Sequence, residues 1–286
     1  MIIKPGCTSQ DIIKASEKLK ETKPHLNEIL KFYEKIFILQ EETINHIDPG
    51  AITISEDLVQ TKLEHKFPLI TKEEFLIDYK ECENLLKKIY QICSDCNIEA
   101  YSSIESIVKL TEKQEITFKT MGEQYLCRGD NWLESFSKEN DIDKKNLEFL
   151  LYNSLKPCIV KGSEQVSKYL KNHDTQDQGF CPVCGSSPGV SILADNGARS
   201  FACSFCWHKW ETERIFCPYC NTKKSENLSY IYVENEKGIR GDVCNKCMKY
   251  IKTLDTREYN HDIYLPMELL GAIPLDMKIN QEGYSN

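Results

Sequence analysis

The chain has 286 residues, of which 41% are hydrophobic and 28% charged, a balance that excludes a disordered chain and supports a sizeable core. Lys and Arg number 36 against 44 Asp and Glu, for a net charge of −8, which argues against indiscriminate phosphate binding. The longest apolar runs, such as residues 36–39, fall far short of a bilayer span, and the opening MIIKPGCTSQ has no long apolar stretch. A cytoplasmic location is the expectation from these features.

The first part of the chain reads as helical. DIIKASEKLK, HLNEILKFYEKIFILQEE, KEEFLIDYKECENLLKKIYQIC and NIEAYSSIESIVKLTEK each repeat apolar residues every three or four positions. In the third, Phe75, Leu76, Tyr79, Cys82, Leu86, Ile89 and Cys93 form one stripe, with Thr71 and Glu74 as a capping box at its start. The segment 147–172 is expected as two helices or one kinked helix, because Pro157 lacks an N–H and crowds the preceding turn. Residues 171–179, KNHDTQDQG, are polar, end in Gly and read as a linker.

Beyond the linker the pattern changes to tight turns and short strands. LSYIYVE (228–234) is the clearest strand; SFACS and VSILA are weaker ones. A short terminal helix is expected from about Leu265 to Ala272 or beyond. The fold class is therefore α+β: an N-terminal all-α helical domain (1–175), then two tandem four-cysteine modules (176–214 and 215–260), then a tail (261–286).

Cysteine carries the chemistry. Of 14 cysteines, eight lie between Cys181 and Cys247, all in CxxC pairs: Cys181/Cys184, Cys203/Cys206, Cys217/Cys220 and Cys244/Cys247. A CxxC knuckle turns two sulfurs toward one metal, and two facing knuckles complete a tetrahedral site. Gaps of 18 and 23 residues within the first and last two pairs can each hold a hairpin, whereas the middle gap is 10. Sequential pairing is the simplest arrangement, with interleaved pairing as the alternative. Two metal ions per chain are expected, zinc or iron, since four thiolates suit both. Cys93 and Cys96 form another CxxC but have no second knuckle nearby; Cys7, Cys82, Cys127 and Cys158 read as core or incidental thiols. His208 is not needed as a ligand, because each site already has four sulfurs. Neither site keeps an open position, so no catalytic residue is assigned and hydrolytic metal chemistry is not expected.

The run CPVCGSSPGVSILADNGARSFACSFCWHKWETERIFCPYCN, followed by LSYIYVE, GDVCNKCMKYIKTLD and LDMKINQEGY, resembles the formate dehydrogenase accessory protein FdhE family. Arg199, Trp210, Arg214, Tyr250-Ile-Lys, Leu275-Asp276 and Glu282-Gly-Tyr284 extend the match beyond cysteine. It covers about residues 180–286; the helical part is similar in class alone. Asn221 stands after Cys220 where Gly is usual, and Asn also tolerates the left-handed conformation. The Pro in MELLGAIPLD is a second departure. The resemblance implies rubredoxin-like sites holding iron or zinc, in a cytoplasmic assembly factor. Such a factor is not itself an enzyme and binds the catalytic subunit of a molybdenum or tungsten formate dehydrogenase.

The surface expected to meet that subunit includes Arg199, Trp210 and Arg214, with Phe205, Trp207 and Tyr219 nearby, since aromatic rings beside arginines are common interface anchors. The same six positions could instead pack and brace the ribbons. Two other functions are alternatives to this reading. A nucleic-acid-binding zinc ribbon fits poorly: residues 181–260 hold 11 Lys and Arg against 9 Asp and Glu, before two four-thiolate sites add negative charge. A rubredoxin-like redox protein requires iron, which would colour it red. No P-loop or dinucleotide fingerprint is present, and neither nucleic acid nor membrane insertion is expected.

Overall fold

The computed structural model describes residues 2, 5–96, 101–113, 115–171, 178–234 and 236–286. Eight α-helices precede the cysteine region in these residues: α1 (Ser9–Thr22), α2 (Asn27–His46), α3 (Glu56–Glu64), α4 (Tyr79–Asp95), α5 (Tyr101–Glu112), α6 (Phe118–Arg128), α7 (Asp130–Asn140) and α8 (Lys144–Ser167). Cys82, Leu85, Leu86, Ile89 and Cys93 of α4 pack with Leu147, Leu150, Leu151, Leu155 and Ile159 of α8 in the main core. Of the expected linker, residues 172–177 lie outside the described residues, as do 97–100 ahead of α5.

Two sequence expectations for the helices are corrected. The Thr71–Glu74 capping box forms, but it closes a single 3₁₀ turn (Lys72–Glu74), and α4 starts at Tyr79 with Asp78 as its cap. Phe75 therefore enters the core from a loop, and Leu76 is exposed. Pro157 does not interrupt α8. The carbonyl of Asn153, which loses its helical N–H donor to the proline, instead accepts Nε2 of buried Gln40 at 2.9 Å.

Six strands follow: β1 (Pro188–Leu193), β2 (Arg199–Cys203), β3 (Lys209–Thr212), β4 (Leu228–Ile231), β5 (Ile239–Cys244) and β6 (Lys249–Asp255). They form one sheet in the order β3-β2-β1-β6-β5-β4. Each half is antiparallel and contains one pair of knuckles; the halves join through the parallel pair β1·β6, in register Ser191↔Thr253, Ile192↔Leu254 and Leu193↔Asp255. Both halves run knuckle, hairpin, knuckle, strand, so they are stacked head to tail rather than about a two-fold axis. The strand expected at 228–234 stops at Ile231.

The chain ends with α9 (Leu265–Gly271) and α10 (Ile273–Gln281). Helix α10 lies against β5 where Gly241 has no side chain; a Cβ there would sit 2.1 Å from Ile279 Cδ1. Among the described residues no helix is long and apolar enough to cross a membrane.

The first cysteine half shares the helical core. Leu69 and Ile70 donate backbone N–H groups to the carbonyls of Pro182 and Val183, both at 2.9 Å. Phe75 packs edge-on against Phe205 at 5.9 Å, and Tyr152 of α8 donates its hydroxyl to the Phe205 carbonyl at 2.8 Å.

Candidate metal centres

The eight paired cysteines converge into two groups. Cys181, Cys184, Cys203 and Cys206 form one; Cys217, Cys220, Cys244 and Cys247 form the other, with the sulfurs of each group within 4.8 Å of one another. The pairing is sequential.

Local backbone geometry explains the convergence. The residue after each knuckle takes a left-handed conformation: Gly185 (φ 75°), Trp207 (φ 61°), Asn221 (φ 55°) and Met248 (φ 57°). That conformation reverses the chain, so the N–H of residues 185, 221 and 248 returns to the carbonyl of the first cysteine of its knuckle at 2.8–2.9 Å. Asn221 replaces Gly without losing the turn, as expected; Trp207 and Met248 do so against ordinary side-chain preference. The second knuckles grow from strand ends, Cys203 closing β2 and Cys244 closing β5.

The sulfur spacing suits a metal and not a disulfide. Contacting sulfurs lie 3.5–3.6 Å apart in the first group and 3.6–3.7 Å in the second. A tetrahedron with metal–sulfur bonds of about 2.3 Å has edges of about 3.8 Å, whereas a disulfide holds its sulfurs about 2.05 Å apart. The N–H groups of Phe205 and Cys206 both point at Cys203 Sγ at 3.4 Å, and such donors favour thiolate. Burial pushes the Cys181 and Cys206 thiols up, while sulfur–sulfur hydrogen bonds hold Cys184 down. Four thiols this close shed their protons together when a cation takes the charge. All four cysteines of the first group are buried; in the second, Cys220 and Cys247 are half-exposed.

Other candidate groups sit elsewhere. His208 lies parallel to Trp210 at 6.3 Å, and burial lowers its pKa to about 4. Cys82 and Cys158 meet 3.6 Å apart inside the helical core. Cys93 is buried, and Cys96 receives Lys35 Nζ at 3.8 Å.

The arginine and tryptophan expected at a partner surface divide between inside and outside. Arg199 is 5% exposed. Its Nε donates to Ser191 Oγ (2.8 Å), one terminal nitrogen donates to the carbonyls of Arg214 (3.2 Å) and Phe216 (3.1 Å), and the other faces Asp242 Oδ2 (3.4 Å). Burial lowers its pKa. Trp210 is 4% exposed, packs against Phe201 and donates Nε1–H to the Gln178 carbonyl. Both side chains therefore brace the sheet, whereas buried Phe205 packs against Phe75 and Tyr152 of the helical part. Trp207 and Tyr219 are half-buried, while Arg214 is exposed.

The remaining residues of the resemblance also meet one another. Tyr250 hydroxyl and Lys252 Nζ both donate to the carboxylate of Asp276, at 2.7 and 2.8 Å. Tyr284 hydroxyl donates to Asn245 Oδ1, inside the last knuckle, at 2.6 Å. Sequence-distant motifs thus hold the second group together.

A family model described as FdhE, central domain, matches residues 180–214. A protein FdhE homolog of Aquifex aeolicus is 27% identical over 273 residues, covering 93% of this chain and 88% of that protein. This chain is similar to FdhE proteins along most of its length. Another FdhE homolog, from Pectobacterium carotovorum, is 32% identical over 110 residues, 37% of this chain and 35% of that protein. The crystal structure of the FdhE protein from Pseudomonas aeruginosa superposes with a TM-score of 0.69, covering 98% of this chain and 94% of that one at 18% identity, so the FdhE fold extends through the helical part.

The sequence did not single out Lys156, Tyr230, Arg240 or Asp242. Apart from the Arg240–Asp242 pair within β5, their partners come from other elements and leave no local signal. The nearest hint is the proline after Lys156, which marks α8 as unusual.

Proposed function

We propose that this chain is a cytoplasmic maturation factor that binds the catalytic subunit of a formate dehydrogenase and is required for its activity, without being an enzyme itself. Two metal ions, zinc or iron, are held by the eight paired cysteines and serve as structural staples. Four thiolates per metal leave no position for substrate. The FdhE homologs carry the assignment to formate dehydrogenase.

The observation that supports a binding role is the surface beside the second cysteine group. A cavity of about 190 Å³ opens there between residues 214–219 and the β4–β6 face. Arg214, Arg240 and Lys249 line it together with Asp242, which pairs with Arg240 at 2.8 Å, and the exposed side chains of Ile215 (61%) and Tyr230 (58%) stand at its rim. Strand β4 ends the sheet on this side. A cationic rim, an unburied ring and an open strand edge suit an acidic, extended segment of the client, added along β4. Arg214 is the member of the expected surface residues that contacts the client; Arg199 and Trp210 support it from beneath.

The test replaces Arg214 with Glu and Tyr230 with Ala together. Metal content and melting temperature are expected to stay near wild type, and capture of the formate dehydrogenase catalytic subunit to weaken at least tenfold. Undiminished capture by a folded, metal-loaded double variant would move the interface elsewhere.

A further inference from the structure

A second cavity lies where the helical part meets the first cysteine half. It measures about 290 Å³ and is walled by Ile44, Val160, Ile192, Ala202, Trp207 and Leu265. Neither the metal centres nor the proposed client surface use it.

Its lining is apolar except for a few charged groups. Lys209 is exposed at the mouth. Glu41 is already satisfied: Oε1 accepts the Tyr264 hydroxyl at 2.8 Å, and Oε2 accepts the Gly6 N–H. Lys156 is not. It is 5% exposed, and its Nζ donates to Gln40 Oε1 at 3.0 Å. The rest of the ammonium rests against rings, 4.9 Å from the Trp207 centroid and 5.0 Å from that of Phe37. An ammonium carries three N–H donors, and burying a charge is costly unless it is paired. Here a cation with one hydrogen-bonded oxygen partner lines a greasy chamber, and desolvation lowers its pKa to about 8 against the opposing pull of Glu41.

We propose that this cavity binds a small apolar monocarboxylate, its carboxylate on Lys156 and its hydrocarbon body against Trp207 and the aliphatic walls. The chemistry selects the class. An apolar lining with one convergent polar group is the usual form of a small-molecule site. Lys156 brings unused N–H donors for one carboxylate, while Glu41, whose oxygens are taken by Tyr264 and Gly6, lines the same chamber and opposes each added negative charge, so a dianion such as a phosphate ester is disfavoured more than a monoanion. Because Trp207 immediately follows Cys206, the ligand would bridge α8 and the first four-cysteine group.

The full-length, metal-loaded chain is titrated calorimetrically with octanoate, with octanol as the headless control. Saturable octanoate binding at one per chain is expected, with an upward shift in melting temperature. Lys156→Met should weaken octanoate at least tenfold and leave octanol unchanged. Val160→Phe, which keeps the lysine and fills the chamber, should abolish binding of both, and serves if Lys156→Met does not fold. Absence of octanoate binding to the wild type overturns the proposal. So does wild-type octanoate affinity in either folded, metal-loaded variant.

Discussion

Arg199, on β2 of the first cysteine half, faces Asp242, on β5 of the second, with 3.4 Å between guanidinium nitrogen and carboxylate oxygen. The same guanidinium holds the carbonyls of Arg214 and Phe216, which lead into the third knuckle. One buried side chain thus ties the connection between the two cysteine groups to both halves of the sheet. Asp242 is itself shared with Arg240 and with the Thr253 hydroxyl.

Removing one member of such a network leaves buried groups unsatisfied. Arg199→Met is expected to destabilise the chain by roughly 1–3 kcal/mol, the cost of leaving the buried Phe216 carbonyl and its neighbours without their donor, since Asp242 keeps Arg240. Arg214→Ala, whose side chain is exposed, should stay within about 0.5 kcal/mol of wild type. Denaturant unfolding monitored by circular dichroism separates the two. Equal stability of both variants would remove the bracing role of Arg199.

The two cysteine groups differ in exposure, and metal removal should show it. A chelator is expected to take the second ion, held partly by half-exposed Cys220 and Cys247, before the first, whose four ligands are all buried. Metal loss should unfold the sheet, since structural four-cysteine sites contribute roughly 10 kcal/mol or more to folding. Release kinetics followed with a colorimetric metal indicator should be biphasic. In Cys220→Ser the fast phase should vanish, and in Cys184→Ser the slow one. Metal-free protein with wild-type protease resistance would contradict the structural role.

Gln40 makes the uninterrupted course of α8 possible. Gln40→Leu strips a donor from the Asn153 carbonyl and the acceptor from Lys156 Nζ, and should cost roughly 1–3 kcal/mol. Pro157→Ala restores a helical N–H for Asn153, so it should recover part of that loss in the Gln40→Leu background. A double-mutant cycle by urea unfolding measures the coupling; strict additivity would show that the two residues act independently.

Glu268 on α9 is 6% exposed, and burial raises its pKa to about 7, against the favourable pull of Lys23 and the hydrogen bond from Tyr259. In the unfolded chain a glutamate titrates near about 4.3. Between those values the native state binds the extra proton. Its stabilising contribution is therefore full below the unfolded pKa and is lost as pH rises through the folded value. Raising the pH from 5 to 8 should cost roughly 2–3 kcal/mol through this group. Glu268→Gln should flatten the dependence, with melting curves across that range as the check.

The parts of this architecture written in local sequence were legible. CxxC spacing fixes a knuckle within a few residues, and the hairpin-sized gaps give the sequential pairing of Cys181 through Cys206 and of Cys217 through Cys247. Helical stripes located α1, α2 and most of α4. The parallel joint of β1 to β6 has no such signature, because Ser191 meets Thr253 only once two separate hairpins have formed. Helices α3, α6 and α7 are short and were not separated from their surroundings by periodicity alone. Pro157 misled because the donor that replaces its N–H comes from Gln40, on another helix. The burial of Arg199 and Trp210 was hidden for the same reason: their partners, Phe216, Asp242 and Gln178, are brought in by the sheet.

Recognition of the formate dehydrogenase catalytic subunit by the doubly metallated chain is the proposed function from which the interface variants follow. The most direct measurement is titration of the purified metal-loaded chain into the purified catalytic subunit from the same organism, under reducing, low-salt conditions, by calorimetry or surface resonance. Saturable binding is expected, disappearing after both metals are removed and weakening at least tenfold in the Arg214→Glu, Tyr230→Ala double variant. No binding by wild-type protein carrying both metals would contradict it.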